Sequence, residues 1–498
     1  MNRGGAAGRA LGAVLLAAGL APAADVSSLW GSKGEAWKED SRLPDFSFAG
    51  YRLGEAPLPT VPVVGDVRSH GARGDGQSDD TAAFQAAVKA ASRGAILIPP
   101  GRYVLTDVIE IRRSGIVLRG AGPDKTILVI PKSLQQIHPA ENVDGFKSRY
   151  SFSGGFLAVT GSDRGRKLAE VAAPTRREER RLTLARPAGV RPGQFVRLVM
   201  NNHPGLGRHL HADQLEAGKA TFQERKNFVD WAARVAAVEG GVIVLDRPLR
   251  LDVRPEWDPE ILSCDPSVEE VGIEDLAFEF PGVPKKKHLE EEGFNAIHLR
   301  GAVNCWVRNV SCTDADNGVI VSGCRFCTVQ RGRFREARRT GLTGHHALWA
   351  TGGSQDCLFE EFRMETKYVH DLTVEGLANG NVFRRGTGVS VNFDHHRNAP
   401  YENLFTDIDV GDPSRVWTSS GRGDRGPHAG ARETFWNIRA ASGRFPKVPG
   451  DWPQIIVVGM AGTARDTTPD RQWVEPVNGP LQPPDLYEAQ RRRRLGMQ

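Results

Sequence analysis

Six of the 13 histidines, His345, His346, His370, His395, His396 and His428, fall within 84 residues, where an even spread would place about two. Acidic, amide and basic residues share those windows. Asp371 adjoins His370, Glu375 follows, Asn392 and Asp394 precede His395, Arg397 follows His396, and Arg425 and Arg432 flank His428. These types suit acid/base chemistry on an anionic polymer. β-Elimination at a uronate needs a cation or amide to neutralise the carboxylate, a base for the C5 proton and an acid for the leaving oxygen. Imidazole serves the last two near neutral pH, and guanidinium the first through a bidentate contact. The expected catalytic set is therefore His370, His396, His395, Asp371, Asp394, His346 and His428, with His370 or His396 as base. Arg397, Arg425, Arg432, Asn392, Glu375 and His345 are expected to hold substrate.

Two other chemistries compete. A glycoside hydrolase needs two carboxylates about 5 to 9.5 Å apart, and Asp371, Glu375, Asp394, Asp407 and Asp409 are available. A non-catalytic glycan-binding protein would use aromatic platforms, for which Trp349, Trp417 and Trp436 are candidates. A zinc site fits less well. His395 and His396 are too close to face the same way in a strand, and the cluster has no His-x-His or His-x-x-x-His pair. His209 and His211 have that alternation but lie elsewhere, on a segment with His203. No metal or other cofactor is assigned; calcium stays open without ligands.

Scattered residues act together only if their segments stack. The segments starting at Asn304, Phe326, Asp356, Gly380, Glu402 and Glu433 align as short alternating strands, with starts 22, 30, 24, 22 and 31 residues apart. Strands that return in one frame at that interval suit the coils of a parallel β-helix, whereas a β-sandwich would not restart them in frame. Cys305, Cys327 and Cys357 recur at the second position of the frame, as small buried side chains. The histidines keep phase with it. His345 and His346 lie 11 and 10 residues before Asp356, His370 lies 10 before Gly380, His395 and His396 lie 7 and 6 before Glu402, and His428 lies 5 before Glu433. Adjacent coils lie about 4.8 Å apart, so these side chains can line one groove.

The N-terminal third has its own signature. The stretch Gly65 to Ser92 carries Gly71, Gly74, Gly76 and the Asp79-Asp80 pair before Thr81-Ala-Ala-Phe-Gln-Ala-Ala-Val88, and is followed by Gly94-Ala-Ile-Leu-Ile-Pro-Pro-Gly101 and Gly115-Ile-Val-Leu-Arg-Gly-Ala-Gly122. A helix over 81–92, N-capped by Asp79 or Asp80, would put Phe84, Val88 and Ala91 on one face and close the open end of a coil stack. Asp75, Asp79 and Asp80 read as loop and helix structure rather than calcium ligands. This segment resembles the opening module of the pectate-lyase superfamily. The resemblance implies an all-β fold, a right-handed parallel β-helix with an N-terminal capping helix. It is shared by polysaccharide lyases, hydrolases, uronan epimerases and phage tailspikes, so activity does not follow from it.

The expected organisation is a signal peptide at 1–23, an aromatic-rich arm at 24–61, the opening module at 62–160, a small β insertion at 161–260, coils carrying the site at 261–445 and a tail with a short helix at 446–498. Arg3 and Arg9 precede the apolar run Leu11 to Leu20, too short to span a bilayer, and Ala21-Pro22-Ala23 suits cleavage, so a secreted or periplasmic location is expected. The 65 basic residues exceed the 60 acidic ones. Setting aside Arg3, Arg9 and the four arginines 491–494 leaves 59 basic residues, so the excess sits at the ends. Arg491 to Arg494 read as a solvated helix face. The expected partner is an acidic polysaccharide, with no nucleic acid, no membrane and a monomeric chain. The function expected is a polysaccharide lyase, with a hydrolase and a glycan-binding protein as alternatives.

Overall fold

A computed structural model describes Met1 and residues 25–145, 147–186, 189–215, 228–284, 287–338, 344–441, 443–477 and 479–497. The expected signal peptide, Met1 apart, lies outside them. Three parallel ladders wind into a right-handed β-helix, the hand that parallel crossovers take. The first face passes through Gly272, Trp306, Thr328, Leu358, Val382, Leu404, Thr434, Ile456 and Trp473. A second runs through Ser311, Arg333, Arg363, Thr387 and Asp409. The third stacks Ile109–Ile111, Leu157–Thr160, Asn295–Arg300, Asn317–Ser322, His346–Thr351, His370–Val374 and Phe393–His395.

Alternation along each strand sends every second side chain inward. Val319, Leu348, Leu372 and Phe393 are ladder partners in the buried core. Phe359, Phe383, Phe405 and Phe435 form a stack with centroid steps of 4.4, 4.9 and 5.1 Å. Each such pair adds roughly 0.5–1.5 kcal/mol beyond burial. Cys305, Cys327 and Cys357 are buried here, and no disulfide joins the described cysteines.

The repeat frame coincides with a turn of the coil. Asn304, Phe326, Asp356, Gly380 and Glu402 all adopt left-handed backbone, with φ between 50° and 65°, and Arg432 does so one residue before the last frame start. Onto these corners packs the insertion, a six-stranded antiparallel sheet from Lys167–Glu170 to Glu260–Ser263 with its own apolar core. It is fastened by charge. Arg325 meets Asp163 and Asp230 at 2.9 and 3.0 Å, Asp356 receives Arg247 and Arg250 at 2.7 Å each, and Glu402 receives Arg177 at 2.7 Å and Arg250 at 3.2 Å.

The capping helix runs Thr81–Ala90 and buries Phe84, Ala87 and Val88, ending two residues short of the expected span. Asp80 occupies the N-cap position without a side-chain cap bond. Its carboxylate instead accepts from the backbone N–H of Arg73 and Gly74, while Asp79 accepts from Thr81 and Thr106. At the other end, the helix Leu486–Leu495 packs with the N-terminal arm outside the first face. Its arginines are not merely solvated. Arg491 donates to Gly54 O, Arg493 to Gly34 O and Arg494 to Ser47 O and Leu53 O, so they hold the arm in place.

Candidate functional site

The site lies outside the third face, in register across its last coils. His346 and His370 are direct ladder partners, as are Thr373 and Asp394. Val374 and His395 point inward, so Thr373 and Asp394 point outward. Loops close the sides. The 287–293 segment brings His288 and Glu291, the turn at Arg149–Ser151 brings the Ser151 carbonyl, and the segment after Pro413–Arg415 crosses over the face, its Ser420 N–H donating to Asp394 Oδ1 at 2.9 Å.

Asp394 is the centre. Its Oδ2 lies 2.9 Å from His396 Nδ1 and 3.2 Å from His370 Nδ1, and the carboxylate is fully buried. Burial alone would raise its pKa, but His370 and His396 reverse that and hold it well below the usual carboxylate range. Burial pulls His396 down, yet the Asp394 and Glu375 carboxylates outweigh it and lift the ring to about 9. His346 is wholly buried, its Nδ1 2.8 Å from Thr373 Oγ1 and its ring stacked on Trp349 at 4.1 Å. Burial and the neighbouring imidazoles push its pKa well down. At the rim, Arg425 reaches Glu375 at 3.1 Å with 39% of its side chain exposed. Burial raises Glu375, against the pull of His396 and Arg425.

Five expected residues thus gather here: His346, His370, Asp394, His396 and Glu375, with Arg425 at the edge. His345 joins them, its ring 4.1 Å from that of His346 and its Nδ1 3.1 Å from Ser151 O. His428 and Arg397 lie alongside. Arg397 spans the carbonyls of Gly421 and Gly426 and touches His428 Nε2 at 3.1 Å, while His428 Nδ1 faces His395 O.

Four other residues leave the set. His395 turns into the core, 3.0 Å from Glu433 and against Trp452 and Phe405, because neighbours in a strand face opposite sides. Asp371 is buried with Arg415 and accepts from the backbone of Tyr368 and Asn392. Burial raises it to about 6, against the pull of Arg415. Asn392 spends its amide on the carbonyls of Val369 and Thr418, bracing the crossing segment. Arg432 is buried against Glu402 at 2.7 Å and Gln454, in the clasp of the insertion.

His288 was not foreseen. It lies upstream of the repeats on a loop, and its ring stands 4.8 Å from His345 and 5.8 Å from His370. One ligand atom each of His288, His345 and His370 lies within 4.8 Å of the others, and the same holds for His370, Asp394 and His396. His203, His209 and His211 serve the insertion. His203 N-caps a short helix, His209 packs on Trp257, and His211 Nδ1 bonds Gly207 O. Trp349 and Trp436 are buried, and Trp417 packs on Phe435, so none of the three offers an open platform.

Residues 65–143 match the family described as rhamnogalacturonase A/epimerase, pectate lyase-like. No curated protein sequence matches the chain. Among solved structures it is similar to the tailspike gp49 of Pseudomonas phage LKA1, at 14% identity and a TM-score of 0.43, covering 84% of this chain and 77% of that one. It is also similar to the gp54 tailspike of Acinetobacter baumannii bacteriophage AP22, solved with a capsular saccharide, at 10% identity, a TM-score of 0.44 and 84% coverage; it spans 64% of that protein, under two thirds of its length. An iota-carrageenase complexed to iota-carrageenan fragments gives 12% identity, a TM-score of 0.33, and coverage of 79% of this chain and 60% of that one.

Proposed function

We propose that this chain is an exported, carbohydrate-active enzyme that cleaves a uronate-containing polysaccharide by β-elimination over the third face of the β-helix. One observation carries the reading: Asp394 accepts a hydrogen bond from His396 Nδ1 at 2.9 Å, which orients that ring with its Nε2 turned to proton transfer. A carboxylate that orients an imidazole in this way is a recurrent device for general acid/base work. His396 is the proton-transfer group assigned, with Asp394 as its positioning residue. Arg425 at the rim suits the substrate carboxylate, for which it would exchange its contact with Glu375.

A hydrolase is the second reading, favoured by the placing of two carboxylates, Asp394 and Glu375, about His396. The test is a panel of acidic polysaccharides followed at once for the ultraviolet absorbance of unsaturated uronate and for new reducing ends. Both signals together are expected. Reducing ends without absorbance would replace the lyase by the hydrolase, and retained glycan binding with neither signal would leave a binding protein. Amino-terminal sequencing of the mature chain tests export, with a start near Ala23 or Ala24 expected.

A further inference from the structure

Proton transfer asks for one or two imidazoles, and this cluster holds five. His288, His345, His346, His370 and His396 come from four separate segments, with neighbouring ring centroids 4.1 to 5.8 Å apart. We propose that His288, His345 and His370 ligate a divalent transition-metal ion, zinc or one of similar softness, with His346 as a further donor. The proposal goes beyond the polysaccharide reading and does not depend on it.

Three observations carry it. First, the candidate ligand atoms of His288, His345 and His370 already lie within 4.8 Å of one another. Zinc–nitrogen bonds of about 2.0–2.1 Å in a tetrahedron put ligand atoms roughly 3.4 Å apart, so closure needs shifts on the order of an ångström. Second, a carbonyl or carboxylate oxygen stands near the Nδ1 atom of each ring, within hydrogen-bond distance for His345. His345 Nδ1 faces Ser151 O at 3.1 Å and Glu291 Oε2 at 3.7 Å, His370 Nδ1 faces Asp394 at 3.2 Å, and His288 Nδ1 is 4.0 Å from Glu291 Oε1. In metal-binding histidines the nitrogen away from the ion commonly faces such an oxygen. Third, His346 Nε2 is buried and has no hydrogen-bond partner, an unexplained polar atom on a ring 4.1 and 4.6 Å from His345 and His370.

Imidazole nitrogen selects for zinc, cobalt or nickel and against calcium or magnesium, which take oxygen. His288 keeps 38% of its side chain exposed, so the ion would have a solvent side, where water or a sugar oxygen could complete its shell.

The test uses the full, untagged chain, stripped with a chelator and reloaded with Zn²⁺ or Co²⁺. One equivalent of zinc by elemental analysis is expected, together with visible cobalt bands of a low-coordinate nitrogen site and a raised unfolding midpoint on zinc addition. His288→Ala, at an exposed position that leaves the fold intact, should weaken zinc binding at least tenfold, and His370→Ala should abolish it. His70→Ala, at an exposed position beside the N-terminal capping helix, should change nothing. Less than about a fifth of an equivalent bound by the reloaded wild type would overturn the site, as would binding by His288→Ala equal to wild type.

Discussion

His395 and His396 are consecutive and face opposite ways. His396 reaches outward to Asp394 at 2.9 Å, while His395 turns inward to Glu433 at 3.0 Å. The same substitution at the two positions therefore has different consequences for activity.

Replacing His396 by Ala is expected to lower turnover per folded molecule by about 10²–10⁴-fold, the usual worth of one general acid or base, and also to lower the unfolding midpoint, because the buried Asp394 carboxylate loses its hydrogen-bonded partner. Asp394→Asn keeps the shape but loses the charge that orients the His396 ring, and should lower kcat more than it changes KM. Steady-state kinetics on the polysaccharide cleaved in the panel, beside circular dichroism of each variant, checks both.

His395→Ala should instead cost about 3 kcal/mol of stability, because it opens a gap against Trp452 and Phe405 and leaves the Glu433 carboxylate buried with less compensation. Denaturant unfolding measures this. Activity per folded molecule should stay near wild type.

The clasp of the insertion makes stability depend on acid. Burial would raise Glu402, but Arg177, Arg432 and Arg250 overcome it and hold the carboxyl at about 2, below its ordinary 4.5. A depressed carboxyl stabilises the fold fully above the unfolded value, and that contribution is lost as pH falls from about 4.5 toward 2. Thermal unfolding followed across this window should show the midpoint falling with pH. Glu402→Gln should flatten that slope and cost about 3 kcal/mol or more at neutral pH, since the arginines lose a shared partner.

Gly380→Ala tests the coil corner. Other corners accept side chains at the same φ, so backbone strain of about 1 kcal/mol is not the decisive factor. A Cβ at Gly380 would sit 2.2 Å from Asp356 Oδ1 and 2.5 Å from Arg250 Nη2, inside the ion pair that ties insertion to coil. A loss of about 2 kcal/mol or more is expected in denaturant unfolding, and Asp356→Asn in the same background should add little because the pair is already disturbed.

The frame read from Asn304 to Glu433 was legible because every coil spends its corner on one left-handed residue, and that requirement returns with each turn. The phase of the histidines was legible for the same reason. Their facing was not. A strand reverses direction with every residue, so His395 shared the window of the site while its side chain went to the core, and Asp371 and Asn392 were taken up by bracing bonds with Arg415, Val369 and Thr418 that leave no trace in the spacing. His288 had no periodic signal, since it arrives on a loop between coils. The objection to a metal, that no His-x-His pair occurs in the cluster, assumed ligands from one strand. In a stacked coil the spacing that matters runs between rungs, where His346 and His370 are neighbours 24 residues apart in sequence.

The clasp at Arg325, Asp356 and Glu402 has a further consequence for how the molecule comes apart. Stacked coils that touch only their neighbours can fray from either end, like a coin roll losing its outer coins. A sheet bolted to several corners at once denies the middle coils that route. Those rungs, which bear Trp349, His370 and Asp394, should open together or not at all, and hydrogen exchange would find them the slowest amides in the chain.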